Sequence, residues 1–245
     1  MPVGHQPLIH KMKKLIIIGC GGTSELIADA FMRDSDFEVA AFSVERGYLP
    51  QSSYFCGIPV LPYEELERRC PVSEFSFFVA IGGAELNALR YRFFTEMLAR
   101  GYVPASFISS RASISPRATL GVHCLILENV VIHAGCRIGD NVMIFPNTYT
   151  GHHTVIESHC FIASGVAIAG YAHVGERSFL GAGSCIANCI MIGAENFISM
   201  GARVTQPTED GMMAKAAPAT VVSAAKERFL RWHKQAAALA RQKGA

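Results

Sequence analysis

From Ile108 to Val204 every sixth residue is aliphatic, with one exception. The series runs Ile108, Ile114, Leu120, Ile126, Ile132, Ile138, Ile144, then Thr150, then Ile156, Ile162, Ile168, Val174, Leu180, Ile186, Ile192, Ile198 and Val204, with nothing inserted or deleted. A strict period of six predicts short flat strands wound three to a coil, a parallel β-helix of hexapeptide repeats. Residues 18 apart, such as His152 and Gly170, then stack at about 4.8 Å, the spacing of neighbouring strands. A second slot, two residues before each aliphatic, holds small side chains such as Ala118, Cys124, Val130, Cys136, Val142, Thr148, Thr154 and Cys160. That slot also points inward, so its cysteines are core filler. The exception, Thr150, opens Thr150-Gly151-His152-His153. Where a strict structural rule fails locally, a functional site is the first suspect.

Residues 13–105 carry a different pattern. Lys14 to Ile18 is a short apolar strand running into Gly19-Cys20-Gly21-Gly22, and Glu25 to Arg33 has helical spacing. Strands follow at Phe37–Phe42, Gly57–Val60 and Phe75–Ile81, with helices at Tyr63–Arg69, after Pro62, and at Leu86–Arg100, ended by Gly101. Alternating strands and helices predict a parallel sheet, a small Rossmann-like α/β domain over 13–105. A linker through Pro104 leads into the β-helix domain, 106–220. The repeat fades after Pro207, and 222–243 reads as a C-terminal helix that caps the solenoid or packs on a neighbour.

Composition narrows the function classes. A chain of 245 residues allows one or two domains, and a net charge of +2 gives no field suited to nucleic acid. Positive mean hydropathy with 17% charged residues fits surface buried in a solenoid and between subunits. Eight cysteines without a CxxC pair signal neither a zinc knuckle nor a redox motif, and point to a reducing, cytoplasmic setting. Lys11, Lys13 and Lys14 precede only four aliphatic residues, too few for a secretory signal. The first ten or so residues read as an extension, with Met12 as an alternative start, and no apolar run suits a membrane span.

Several motifs together carry a resemblance. They are the strand–Gly19-x-Gly21-Gly22–helix unit, Asn147-Thr148…Gly151-His152, Ile168-Ala169-Gly170, and Phe179-Leu180-Gly181-Ala182-Gly183. Over 13–220 the chain resembles the bacterial hexapeptide-repeat sugar acyltransferases, which include bacillosamine-type nucleotide-sugar N-acetyltransferases and sialic-acid O-acetyltransferase relatives. The resemblance implies a left-handed β-helix, a homotrimer with active sites between subunits, and acetyl-CoA as co-substrate. It also implies a small-molecule sugar acceptor, with no nucleic-acid or membrane partner.

Acyl transfer needs a base that is neutral near physiological pH, a donor for the oxyanion, and a slot holding the thioester. His152 is the expected base, since imidazole can take the acceptor's proton. Gly170, one coil along, is the expected oxyanion donor through its backbone N–H. His153 stands where many relatives carry an acidic residue; it is expected to orient His152, with Glu157 a second candidate. Small residues on the later coils, Gly181, Ala182, Gly201 and Ala202, are expected to let the pantetheine approach. Thr220 replaces the family's terminal lysine, leaving Arg203 and Lys215 to meet the CoA phosphates.

Gly19, Gly21 and Gly22 are expected to hold the acceptor at a helix N-terminus, with Asn87 and Arg90 beside them. The segment after the second strand reads Phe42-Ser43-Val44-Glu45-Arg46, departing from relatives that place acidic residues there. No metal is expected. His123 and His159 are 36 residues apart, two coils or roughly 10 Å, too far to share an ion. His133 and His173 read as rim residues. The expected activity is acetyl-CoA-dependent N-acetylation of an amino sugar, nucleotide-linked. The alternatives are O-acetylation of a sugar hydroxyl and a non-catalytic, trimeric nucleotide-binding scaffold.

Overall fold

The computed structural model describes residues 12–218, together with Glu227 and Arg231. The N-terminal extension and, apart from those two residues, the helix expected over 222–243 lie outside the described residues. No helix among the described residues is long and apolar enough to cross a membrane.

The first part of the chain builds a six-stranded sheet from β1 (Lys13–Ile18), β2 (Phe37–Val44), β3 (Tyr54–Phe55), β4 (Ile58–Pro62), β5 (Phe75–Val79) and β6 (Val103–Pro104). The order is β3-β4-β2-β1-β5-β6, parallel except for the β3–β4 pair. Helices α1 (Gly22–Arg33), α2 (Leu66–Arg69) and α3 (Ala88–Ala99) connect the strands. Covering on both faces explains the continuous apolar run of β1, where Leu15, Ile16 and Ile17 are fully buried. Ile16 and Ile18 pack with Leu66, Phe93 and Met97 on one side of the sheet. Leu15 and Ile17 share the other side with Ile27 and Phe31 of α1, and with Phe107, Leu125, Met143 and Phe161 of the solenoid.

The hexapeptide period produces two-residue strands on three faces, and each strand pairs in parallel with the strand 18 residues on, except that Met213–Ala214 pairs with Phe197–Ile198 at an offset of 16. The first face carries Phe107–Ile108, Leu125–Ile126, Met143–Ile144, Phe161–Ile162, Phe179–Leu180, Phe197–Ile198 and Met213–Ala214. The second runs from Ser113–Ile114 to Arg203–Val204, and the third from Thr119–Leu120 to Met191–Ile192. The second residue of each strand points inward, and from Ile126 to Val204 these positions are buried without exception. Each such aliphatic contributes about 1.5–3 kcal/mol on burial. The small-residue slot is buried too: Cys124, Cys136 and Cys160 are inaccessible, and all eight cysteines are unpaired thiols. Burial pushes the Cys124 thiol up to about 11 and the Cys160 thiol up to about 12.

Thr150 keeps its place in the wall. It is fully buried, and its hydroxyl donates to the Val131 carbonyl at 3.1 Å. The missing aliphatic therefore does not open the coil, and the exposed histidines it announces lie two and three residues further on. A satisfied hydroxyl fills an inward position as a small apolar group would.

From His123 to Gly201 every corner between faces has one residue at positive φ. Glycine holds it at Gly135, Gly165, Gly183 and Gly201, and asparagine at Asn129, Asn141 and Asn147. His153 (φ 59°) and Tyr171 (φ 57°) occupy the same left-handed position in consecutive coils. Larger side chains rarely adopt it, and such strain concentrates at working sites.

Candidate active site

The corner between the second and third faces carries His152 and His153, with Gly170 and Tyr171 in the next coil. The Tyr171 N–H donates to the His152 carbonyl at 3.0 Å, locking the two coils together. A Cβ built on Gly170 would lie 3.0 Å from both Cε1 and Nε2 of His152, so the imidazole lies over the bare glycine. Nε2 thereby faces the Gly170 backbone, whose N–H donates to no acceptor among the described residues. A Cβ on Gly151 would run into the Gly170 nitrogen, so two glycines are required for this close approach of coils. His152 Nδ1 lies 3.3 Å from His153 Nδ1, and both rings are exposed. The fold thus brings His152, His153 and Gly170 together as the spacing implied.

Glu157 does not reach His152. Its Oε1 takes His173 Nε2 at 2.7 Å, and its Oε2 accepts the Glu176 N–H at 3.0 Å. The third face carries it away from the corner. His173 is accordingly a paired residue rather than a solvated rim histidine.

A cleft of about 840 Å³ opens at the C-terminal ends of β1, β2 and β5. Gly19, Gly21 and Gly22 line it together with Ser43, Glu45, Gly82 and Arg92. Gly19 needs its φ of 120°, and a side chain there would strike Ser24 Oγ. Gly21 caps α1 without a side-chain acceptor, which leaves the first-turn N–H groups aimed at the cleft. Ser43 Oγ is fully buried there and has no hydrogen-bond partner. Unpaired helix N–H groups suit an anion, and an orphan hydroxyl in the lining offers a further donor. Glu45, missed as a site residue, pairs with Arg92 at 3.0 Å and supplies a carboxylate just beyond the second strand.

Asn87 and Arg90 correct the sequence reading, since neither faces the cleft. Both are fully buried against the corner between the third and first faces. Asn87 donates to the carbonyls of Arg177 (2.9 Å) and Ser178 (3.2 Å). Arg90 donates to the carbonyls of His159 (2.6 Å) and Cys160 (3.0 Å) and to Asn141 Oδ1 (3.4 Å). Burial lowers its guanidinium to about 10.

Beside it runs a ladder of buried polar groups. The Val79 N–H donates to His123 Nε2 at 2.9 Å, which leaves the His123 proton on Nδ1, 3.0 Å from Asn141 Oδ1. Asn141 Nδ2 then faces His159 Nδ1 at 3.0 Å. One backbone amide therefore sets the tautomers of two histidines. Burial holds His123 down at about 3 and His159 at about 4, so both are neutral. Asn87, Arg90 and this ladder clamp the α/β domain to the solenoid. The outward residues of the first face gave a sign of that docking, since Phe107, Leu125, Met143, Phe161 and Phe179 are all apolar.

The thioester residues divide. Gly181 and Ala202 are buried, and a Cβ on Gly181 would meet the Met200 nitrogen at 2.6 Å. They serve coil stacking and offer no surface to a cofactor, which corrects that part of the sequence reading. Ala182, Gly201, Arg203 and Lys215 are accessible, on the corner between the first and second faces or beside it. That corner lies a full face away from His152, so one chain alone does not unite them. Among the described residues no group of three or more His, Cys, Asp or Glu side chains could hold a metal ion.

These elements define a class: a hexapeptide-repeat protein in which a Rossmann-like domain, clamped to a β-helix, presents a glycine-lined cleft. Residues 14–97 match the family described as PglD N-terminal domain, and residues 102–200 match that described as GMPPB C-terminal domain. PerB from Caulobacter crescentus, solved with CoA and GDP-perosamine, is 27% identical, with a TM-score of 0.75 over 85% of this chain and 99% of that one. The acetyltransferase domain of PglB from Neisseria gonorrhoeae is 24% identical, with a TM-score of 0.76 over 84% of this chain and 100% of that one, and supports the left-handed β-helix fold. An acyl-[acyl-carrier-protein]–UDP-N-acetylglucosamine O-acyltransferase from Stutzerimonas stutzeri is 37% identical over 71 residues. That match takes in 26% of this chain and 28% of the relative's length. In sequence and in fold the chain is similar to hexapeptide-repeat sugar acetyltransferases.

Proposed function

We propose that this protein transfers the acetyl group of acetyl-CoA to the amine of a nucleotide-linked amino sugar, with His152 as general base. The observation that carries the reading is the placement of His152 Nε2 over Gly170, whose N–H is open. The imidazole takes the amine proton as nitrogen attacks the thioester carbonyl, and the Gly170 N–H stabilises the oxygen that becomes negative. Acetyl-CoA in a structure of the PglB acetyltransferase domain, and CoA with GDP-perosamine in PerB, support the two substrate classes.

The glycine-loop cleft holds the nucleotide phosphates at the N-terminus of α1, with Ser43 as a further donor. Ala182, Gly201, Arg203 and Lys215 receive the pantetheine and phosphates of CoA. Because they lie one face away from His152, the reading includes a homotrimer in which neighbouring solenoids complete each site. The domains in this reading are 13–105 for the acceptor and 106–220 for acyl transfer.

The test is incubation with acetyl-CoA and a panel of free and nucleotide-linked amino sugars, following release of free thiol. Thiol release that needs an amino acceptor and falls at least a hundredfold in His152→Ala is expected. No release with any amino acceptor would sink the proposal. Products cleaved by mild alkali would reassign it to O-acetylation, and absence of any CoA-induced thermal shift would favour a non-catalytic scaffold.

A further inference from the structure

For Nε2 of His152 to accept a proton, the ring must carry its hydrogen on Nδ1. Nδ1 faces only His153 Nδ1, at 3.3 Å. His153 must therefore present a lone pair there and hold its own hydrogen on Nε2. A carboxylate would do this in any orientation of its oxygens. An imidazole does it only when its plane is fixed and its tautomer is right.

The fixing comes from the corner column in which His153 sits. On one side lies Gly135, where a Cβ would come within 2.6 Å of His153 Cδ2. On the other side lies the Tyr171 ring, stacked on His153 at a centroid distance of 5.0 Å and an interplanar angle of 6°. The same ring meets His152 edge-on at 4.9 Å and 88°. Its backbone is tied to the His152 carbonyl and held at positive φ. One tyrosine thus contacts both histidines, face-on to the second and edge-on to the first.

We propose that Tyr171 is a positioning residue that makes His153 the proton acceptor for His152, its ring face taking the place of a carboxylate. The proposal rests on the reading of His152 as base. As the C–N bond to the acetyl group forms, the amine proton passes to His152 Nε2 and the Nδ1 proton of His152 passes to His153 Nδ1. His153 is then an imidazolium with both nitrogens protonated, lying flat on an aromatic face that attracts cations. When the C–S bond breaks, the proton returns by the same line to the departing thiolate. Amine and thioester become amide and thiol, and both histidines recover their starting protons.

Tyr171→Phe and Tyr171→Ala, each made with His153 intact and with His153→Ala, test the idea. Tyr171→Phe keeps an aromatic face and should retain activity within about twofold, whereas Tyr171→Ala should lower kcat roughly tenfold with both KM values unchanged. With His153→Ala already present, Tyr171→Ala should cost nothing further, because its effect runs through His153. Equal losses in both backgrounds, or Tyr171→Phe as damaging as Tyr171→Ala, would overturn it. An independent reading comes from ring-nitrogen NMR of protein labelled with ¹⁵N-histidine. His152 should be the Nδ1–H tautomer in the parent protein and a mixture in Tyr171→Ala; an unchanged tautomer would overturn the proposal. If the parent protein acetylates no amine, the functional reading fails, and the NMR comparison still decides the role of Tyr171.

Discussion

Replacing Arg90 by methionine keeps most of the side-chain volume and removes every donor of the guanidinium. Two acceptors then lose their only protein donor: the His159 carbonyl, bonded at 2.6 Å, and Asn87 Oδ1, at 3.4 Å. The Cys160 carbonyl keeps the Met143 N–H, and Asn141 Oδ1 keeps His123. Each buried orphan costs about 1–3 kcal/mol. Release of a desolvated cation offsets part of that cost. The net loss expected is about 3 kcal/mol, a fall in Tm of roughly 6–12 °C for a protein of this size. Scanning calorimetry should show the lowered transition, split if the α/β domain now melts apart from the solenoid. Hydrogen exchange should rise at Phe75–Val79 and around 157–160, the two sides of the clamp. A variant that melts within about 2 °C of the parent, in one transition and with unchanged exchange, would refute the clamp.

Acid should weaken the same joint. His159 and His123 are held neutral in the fold, so below about pH 6.5 the unfolded chain takes up protons that the folded chain refuses. Stability is full above that pH and declines toward pH 4, by about 3 kcal/mol from His159 alone; urea midpoints that stay constant from pH 7 to 4.5 would contradict this. Gly170→Ala keeps the backbone N–H but pushes the His152 ring off it, so kcat should fall about a hundredfold, with a small change in Tm because the nearest atoms are the movable ring and the His152 carbonyl lies 3.2 Å away. Gly151→Ala should act the other way, costing about 2–4 kcal/mol in a melt, because its methyl meets backbone of the next coil. Gly21→Ala, where a Cβ meets no protein atom within 4 Å, should cut nucleoside-diphosphate affinity roughly tenfold in calorimetric titration and leave Tm unchanged.

The solenoid was legible because its rule is local and repeated. One inward residue in six names the strands, and a fixed offset of 18 stacks His152 on Gly170 without reference to any distant contact. The glycine loop was legible for the same reason, since a strand, glycines and a helix follow one another directly. Asn87 and Arg90 were not, because a polar pair opening a helix beside a glycine loop reads equally well as ligand contacts or as a joint. Only the docking of α3 against the solenoid corner, a contact between positions some 70 to 90 residues apart, decides between them. Glu157 misled for a related reason: the turn geometry at 157–158 sends it to His173, which no count along the chain reveals. Thr150 shows that a break in periodicity can be chemically silent when the hydroxyl finds a carbonyl.

The clamp also serves as a gauge. A solenoid contacts only its neighbouring coils, so a chain lacking one coil of 18 residues would still stack and bury its aliphatic rows. The α/β domain, however, grips particular rungs, at His123, Asn141, His159 and the Arg177–Ser178 carbonyls. Those rungs bracket the coil that carries His152. Deleting 18 residues within the gripped span would keep the stack but bring the wrong rungs to the clamp, so the cleft would no longer point at the histidine corner. Three buried side chains thus count the coils, and the reach between cleft and imidazole is measured in whole turns of the helix.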